Sequence, residues 1–232
     1  MAFLRNIMGL VLKYIYEFVK SIFTVEPASF SYLAISIIII SIVFKIVLFP
    51  IFLSSIKNQK ITAQFADEQK KIRERYKHDP QAMNMKLMEF NKEHGIKQLG
   101  GCLPMIFNFI LVIAMFAVMR EPLLYIFGDA NAAVSKNFFW ISDLSKPDPV
   151  LYGLPLINAI TQYLYLEISN RDQKDNPAAK SMETMKYIFP VIIFFSAKSF
   201  SAGLALYWAC TNVVEILLRL GLTAYENRKM DK

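Results

Sequence analysis

Between Ser36 and Pro50 the chain reads S-I-I-I-I-S-I-V-F-K-I-V-L-F-P, and Lys45 interrupts residues otherwise suited to lipid. An ammonium group at the centre of a membrane-spanning helix costs about 2.5–3.5 kcal/mol on insertion scales, so it needs a partner, water or an escape route. Ser41 lies four residues earlier, on the same helical face. Near the other end of the chain, Trp208, Thr211, Asn212, Glu215 and Arg219 follow at i, i+3, i+4, i+7 and i+11, a polar stripe along an apolar run. Asn108 and Gln162 each add an amide to two further apolar runs. Four runs each presenting a polar group imply a hydrated cavity, because polar atoms in lipid must find partners or water. The chemistry open to such a set is non-covalent: a buried cation attracts a passing carboxylate, and amides and hydroxyls hold a polar segment.

Each of these residues also has a plainer reading. Asn108 and Gln162 would serve equally as interhelical hydrogen-bond partners, worth about 0.6 kcal/mol on average. Lys45 would need to snorkel eight residues to Leu53, about 12 Å along the axis, and its stem covers only part of that distance. Covalent catalysis finds no support. The histidines, His78 and His94, lie outside the apolar runs, and no nucleophile elbow, zinc-protease, phosphate-loop or Cys-x-x-Cys pattern occurs. Neither an enzyme nor a cofactor is expected. Cys102 and Cys210 both sit inside apolar runs and read as small buried hydrophobes.

The elements that must position these groups follow from composition. The chain is 55% hydrophobic and 14% aromatic over 232 residues, with a mean hydropathy of +0.34. Those values with long uncharged runs predict an all-α polytopic membrane protein. Five spans are expected, over residues 30–53, 99–119, 150–168, 184–200 and 203–222. Lys and Arg set the orientation: eighteen flank one side of these spans and seven the other. The long first loop and the C-terminus then face the cytoplasm, and the N-terminus lies outside.

Residues 54–95 are expected to form a cytoplasmic helical hairpin. Ile61, Phe65, Ile72 and Tyr76 make one helical stripe, His78-Asp79-Pro80 breaks it, and Met83, Leu87 and Phe90 make a second that Gly95 stops. The plainer alternative is a solvated charged loop. Residues 1–24 place Lys13, Glu17 and Lys20 on one face of an apolar helix, which suits an external helix lying in the membrane interface. A signal peptide is the rival, weakened by Lys13 and by the lack of an A-x-A site before Pro27. Residues 223–232 form a short basic cytoplasmic tail.

Several blocks resemble the YidC family of membrane protein insertases and its mitochondrial and chloroplast oxidase-assembly relatives. They are L-G-G-C-L-P-M (99–105), F-F-W-I-S-D-L-S-K-P-D-P (138–149), L-P-L-I-N-A-I-T (154–161), M-K-Y-I-F-P-V-I-I-F-F (185–195) and F-S-A-G-L-A-L-Y-W-A-C-T-N (200–212). In order and spacing the likeness covers residues 25–222. It implies five helices around a polar groove, open to cytoplasm and lipid and closed outside, with a cation on the first span. Lys45 stands where that family usually has arginine, Asn108 where glutamine is common, and Ile110 where proline is usual. Ser201-Ala202-Gly203 replaces a proline-serine-glycine turn. Carried onto this chain, the groove comprises Lys45, Ser41, Asn108, Gln162, Tyr207, Trp208, Thr211, Asn212 and Glu215.

The resemblance implies nascent membrane proteins as clients, passed through the groove and released into the lipid bilayer of a bacterial cell membrane. Ribosomes, signal-recognition machinery and a Sec-type translocon are the implied docking partners, and DNA is not. A small secondary transporter or channel, or a structural assembly subunit, is the alternative. Lys45 and Glu215 lie at similar fractions of their spans, which raises a further alternative. They either form a dry permanent pair or stand in a wet groove that leaves Lys45 free for an acidic client; the wet groove is the reading preferred here.

Overall fold

The computed structural model describes residues 2–97, 103–129, 132–170 and 177–230. In chain order the helices are α1 (Ala2–Ile22), α2 (Tyr32–Val47), α3 (Phe49–Gln64), α4 (Ala66–Arg75), α5 (Pro80–Glu93), α6 (Leu103–Met119), α7 (Leu154–Asn170), α8 (Pro177–Ser196) and α9 (Ala202–Met230). A π turn over Leu123–Phe127 follows α6, and a 3-10 turn over Ala197–Ser199 follows α8. Extended pairing among the described residues is limited to isolated bridges that join Phe138 to Phe30 and to Ile141. The residues that open the L-G-G-C-L-P-M string and the expected second span, 99–102, lie outside the described residues.

The run expected as one span over 30–53 is divided. Pro50 lacks an N–H and its ring crowds the carbonyl four residues back, so the helix cannot pass through it unbent. The α2 and α3 axes meet at 56° around Leu48. The cytoplasmic arm expected to start at Ser54 therefore belongs to a helix that begins at Phe49.

The core lies where α2 meets α1 and α9, and α6 packs on those two. Leu33, Ile37 and Ile40 of α2, Met115 and Met119 of α6, and Leu204 and Tyr207 of α9 are fully buried there. Outside this core the helices expose large apolar side chains, among them Ile46, Phe109, Ile160, Val191, Phe195 and Leu217. Exposed apolar side chains on so many helices mark a surface built for a nonaqueous solvent. By length and composition α9 can cross a membrane alone, and α2 with α3 can do so as a bent pair. Helices α6 and α7 have 17 residues each.

α1 divides into three faces. Met8, Leu12, Tyr16 and Val19 are buried against the core, whereas Phe3, Ile7, Leu10, Tyr14 and Phe18 are exposed. Lys13, Glu17 and Lys20 occupy the third face, also exposed. Gly9 lets α1 approach the π turn, because a Cβ there would collide with the Tyr125 carbonyl. The Arg5 guanidinium lies 4.1 Å from the centroid of the Tyr125 ring and donates to its hydroxyl at 3.2 Å.

The segment 137–149 ties together the ends of α2, α7 and α9. Ser31 caps α2 by accepting from Ala34 N–H at 3.2 Å, and its hydroxyl donates to Asn137 O at 2.9 Å. Asp148 accepts from Leu154 N–H at 2.7 Å, Val150 N–H at 2.8 Å and Trp140 Nε1 at 3.0 Å, which seats the start of α7. At α9, Ala202 N–H donates to Lys146 O at 2.7 Å and Gly203 N–H to Leu144 O at 2.8 Å. A Cβ on Gly203 would stand 2.6 Å from Met119 Sδ and 3.1 Å from Leu144 O. The Ser201-Ala202-Gly203 turn thus brings backbone against backbone where a side chain has no room.

Helices α4 and α5 form the hairpin. Asp79 caps α5 by accepting from Ala82 N–H at 2.9 Å, with Pro80 in the first turn. Phe65, Phe90 and His94 stack at the hairpin's base, with ring centroids 4.1–5.9 Å apart. Gln69 donates to Asn91 at 2.9 Å. The helical arm expected to run unbroken to Tyr76 is interrupted at Phe65, between α3 and α4. Asn58 exchanges two bonds with the Lys97 backbone, at 2.7 and 2.9 Å, and so closes the root of the hairpin. At the other end of the chain, α9 continues without a break into the expected tail, where Glu226 pairs with Lys60 of α3.

Candidate functional site

The bend at Leu48 opens a cleft beside Lys45. Leu48 walls it at the bend, Ile51 and Phe52 from α3, Phe107 and Asn108 from α6, and Glu215 and Leu218 from α9. Lys45 Nζ donates to Glu215 Oε2 at 2.5 Å and to Asn108 Oδ1 at 3.2 Å. The two charged side chains are 12% and 9% exposed, so the pair is largely buried. A buried pair of this kind has stronger Coulombic attraction than a surface pair, and loses more hydration in forming. Lys45 is thus paired with Glu215 in this structure, and not free as the preferred reading of the sequence expects.

Glu215 has further company. The Tyr165 hydroxyl of α7 lies against Glu215 and Ser169 and near the Arg219 guanidinium. Arg219 reaches α3, where both terminal nitrogens donate to Gln59 Oε1 at 3.3 Å. A continuous column of polar groups therefore runs along α9 from Asn108 and Lys45 to Gln59.

The other expected groove residues separate from this cluster. Gln162 Oε1 accepts from Trp208 Nε1 at 3.0 Å and from Asn212 Nδ2 at 3.2 Å, forming a buried network between α7 and α9. Thr211 turns its hydroxyl to Trp208 O at 2.8 Å. Ser41 is buried and donates to Ile37 O at 2.7 Å, within its own helix. Tyr207 is fully buried in the core, its hydroxyl without a partner. Of the nine residues singled out from sequence, Lys45, Asn108 and Glu215 line the cleft. Sequence reasoning did not select Gln59, Tyr165 or Arg219 for the groove. Arg219 carried a signal, since it continues the Glu215 face at i+4. Gln59 and Tyr165 carried none, because their roles depend on which helices become neighbours.

A second pair bridges α7 and α8. Lys186 Nζ meets Glu167 Oε2 at 2.6 Å and lies 4.8 Å from the centroid of the Tyr187 ring. Among the described residues no group of three His, Cys, Asp or Glu is placed to hold a metal ion.

The family model described as the 60Kd inner membrane protein matches residues 25–229, nearly the whole chain. The chain belongs to the 60Kd inner membrane protein family. Among the family's curated members, the membrane protein insertase YidC of Fusobacterium nucleatum is 32% identical over 183 residues, 79% of this chain and 82% of that protein. The YidC of Clostridium tetani is 28% identical over 216 residues, 93% of this chain and 91% of its own length. The YidC of Cupriavidus necator is 34% identical over 181 residues, 78% of this chain, but these make up 30% of that longer protein. Among solved structures, an active YidC insertase with its first transmembrane domain resolved superposes with a TM-score of 0.60 at 18% identity. The match covers 89% of this chain and 44% of that one, and shows the shared helical fold.

Proposed function

We propose that this chain is a membrane protein insertase of the YidC type. It passes the short polar outer segment of a nascent membrane protein partway through the bilayer and releases the client's helix sideways into lipid. The observation that carries this reading is Lys45, a cation in the last turn of the apolar helix α2 that lines the cleft and is held by Glu215 and Asn108. A cleft reaching partway into the membrane shortens the hydrocarbon path that a polar segment must cross, and the cation attracts its carboxylates. Burial of the client's apolar helix in lipid then drives release, with no nucleotide or cofactor in the cycle.

In this reading α2 with the start of α3, α6, α7, α8 and α9 are the five spans of a bacterial cell membrane protein. α1 rests in the outer interface, and the hairpin and the end of α9 face the cytoplasm. The exposed Phe139, Trp140 and Tyr152 at the outer ends suit the headgroup layer. Gln162, Trp208, Thr211 and Asn212 brace the groove wall, with Ser41 and Tyr207 behind it. Ribosomes, signal-recognition machinery and a Sec-type translocon would dock on the basic hairpin.

Liposomes containing the purified chain provide the test. A short single-span client with an acidic outer segment should insert, Lys45→Arg should preserve insertion, and Lys45→Ala should reduce it at normal protein levels. Solute flux without insertion would replace this reading with a transporter.

A further inference from the structure

Arg219 is 6% exposed, yet no carboxylate lies within 4.0 Å of it among the described residues. Its two terminal nitrogens share one amide oxygen at 3.3 Å, the guanidinium lies 5.7 Å from the Phe52 ring centroid, and Nε is buried without a partner. A guanidinium offers five donors, so a single Gln59 oxygen leaves this one far from satisfied. A buried cation in that condition is costly, and such a residue is expected to have an anion in some state of the protein.

The acid placed to serve it is on the same helix. Glu215 precedes Arg219 by four residues, the favourable order for an acid and a base on one helical face. In this structure Glu215 is committed to Lys45 at 2.5 Å. Lys45, Glu215 and Arg219 thus make a line of plus, minus and plus in which the carboxylate holds one cation and leaves the other waiting. Tyr165 stands against Glu215 and near Arg219.

We propose that Glu215 exchanges partners, pairing with Lys45 when the cleft is empty and with Arg219 when an acidic client segment occupies Lys45. The proposal rests on the reading that the cleft receives such segments. The exchange makes and breaks no covalent bond and moves no proton. It needs rotation of one side chain about its own torsions. Its effect is to keep a buried carboxylate paired in both states, so that an incoming client does not strand Glu215. Arg219 is in this sense a positioning residue, acting on the client through Glu215, and the pair sets how strongly the cleft distinguishes acidic from uncharged segments.

The full chain in liposomes tests this with two clients whose outer segments differ only in Asp against Asn. The measurement is the ratio of acidic to uncharged client inserted. Arg219→Gln should lower that ratio about three- to fivefold, the worth of one modest ion pair, and Arg219→Lys should preserve it. Glu215→Gln alone should raise the ratio above wild type, because Lys45 is already released. Adding Arg219→Gln to Glu215→Gln should change nothing further. A double variant as low as Arg219→Gln alone would overturn the exchange, since Arg219 would then meet the client itself. A ratio unmoved by Arg219→Gln, or not raised by Glu215→Gln, would overturn it too. If Lys45→Ala leaves the ratio unchanged, the client-binding reading of the cleft fails, a result separable from any outcome at Arg219.

Discussion

Lys45 and Glu215 neutralise one another in the cleft, so each mutation acts on the charge left behind. Lys45→Ala leaves the buried Glu215 carboxylate without its cation, and loss of one member of a buried pair costs up to about 3–5 kcal/mol. If the cleft is hydrated as proposed, the loss of thermal stability should lie at the low end of that range, and the protein should remain folded in detergent. Unfolding by Lys45→Ala that Glu215→Ala reverses would instead make the pair structural. Asp143 behaves differently. Burial alone would raise its carboxyl, but the Ser145 N–H and the Lys136 ammonium outweigh burial and hold it below the usual carboxylate range. The Lys136 contact is 3.3 Å and the Ser145 contact 2.9 Å. A depressed folded value means that the stabilisation is complete above the unfolded value and is lost as pH falls through the folded one. Melting temperature should therefore fall more steeply for wild type than for Asp143→Asn as pH drops below about 4.

At the scale of elements, the hairpin is fastened at its root and nearly bare along its length. α5 has no buried residue, whereas Asn58 is fixed to Lys97 and Gln59 to Arg219. A deletion that tests the hairpin must therefore spare α3. Removing residues 66–93 should leave the spans assembled and reduce insertion of clients delivered from the cytoplasm, scored at matched protein levels. Undiminished insertion would remove the hairpin from the mechanism. The elements themselves were legible because helical periodicity, capping residues and proline are local signals: Asp79-Pro80 opens α5 and Ser31 opens α2. The bend at Leu48 was legible only as Pro50, which the expected span over 30–53 ran through without a break. Sequence placed Lys45 and Glu215 in the site because charge in an apolar run is conspicuous. Ser41 and Tyr207 belong elsewhere because helical phase alone does not say which neighbour a face will meet.

For the whole molecule, closure at one end and opening at the other follow from where backbone packs on backbone. Segment 137–149 fastens α2 and α9 through main-chain acceptors at Asn137, Leu144 and Lys146, and α7 through the Asp148 carboxylate. Gly203 is a close-packed point of that seal, and Gly203→Ala should cost about 1–3 kcal/mol by overpacking against Met119 and Leu144. Thermal unfolding would register this, and no loss of stability would mean that the α6–α9 contact is slack. Among the described residues, the Lys45 end is lined by side chains and not by backbone packed on backbone.

The bend at Leu48 has a mechanical corollary. Ile51 and Phe52, two walls of the cleft, lie in the first turn of the same helix that carries Asn58, Gln59 and Lys60 toward the hairpin. A 16-residue helix is about 24 Å long and stiff over that length. With Leu48 as the hinge, a tilt of the far end of α3 would carry Ile51 and Phe52 with it and so move one wall of the cleft.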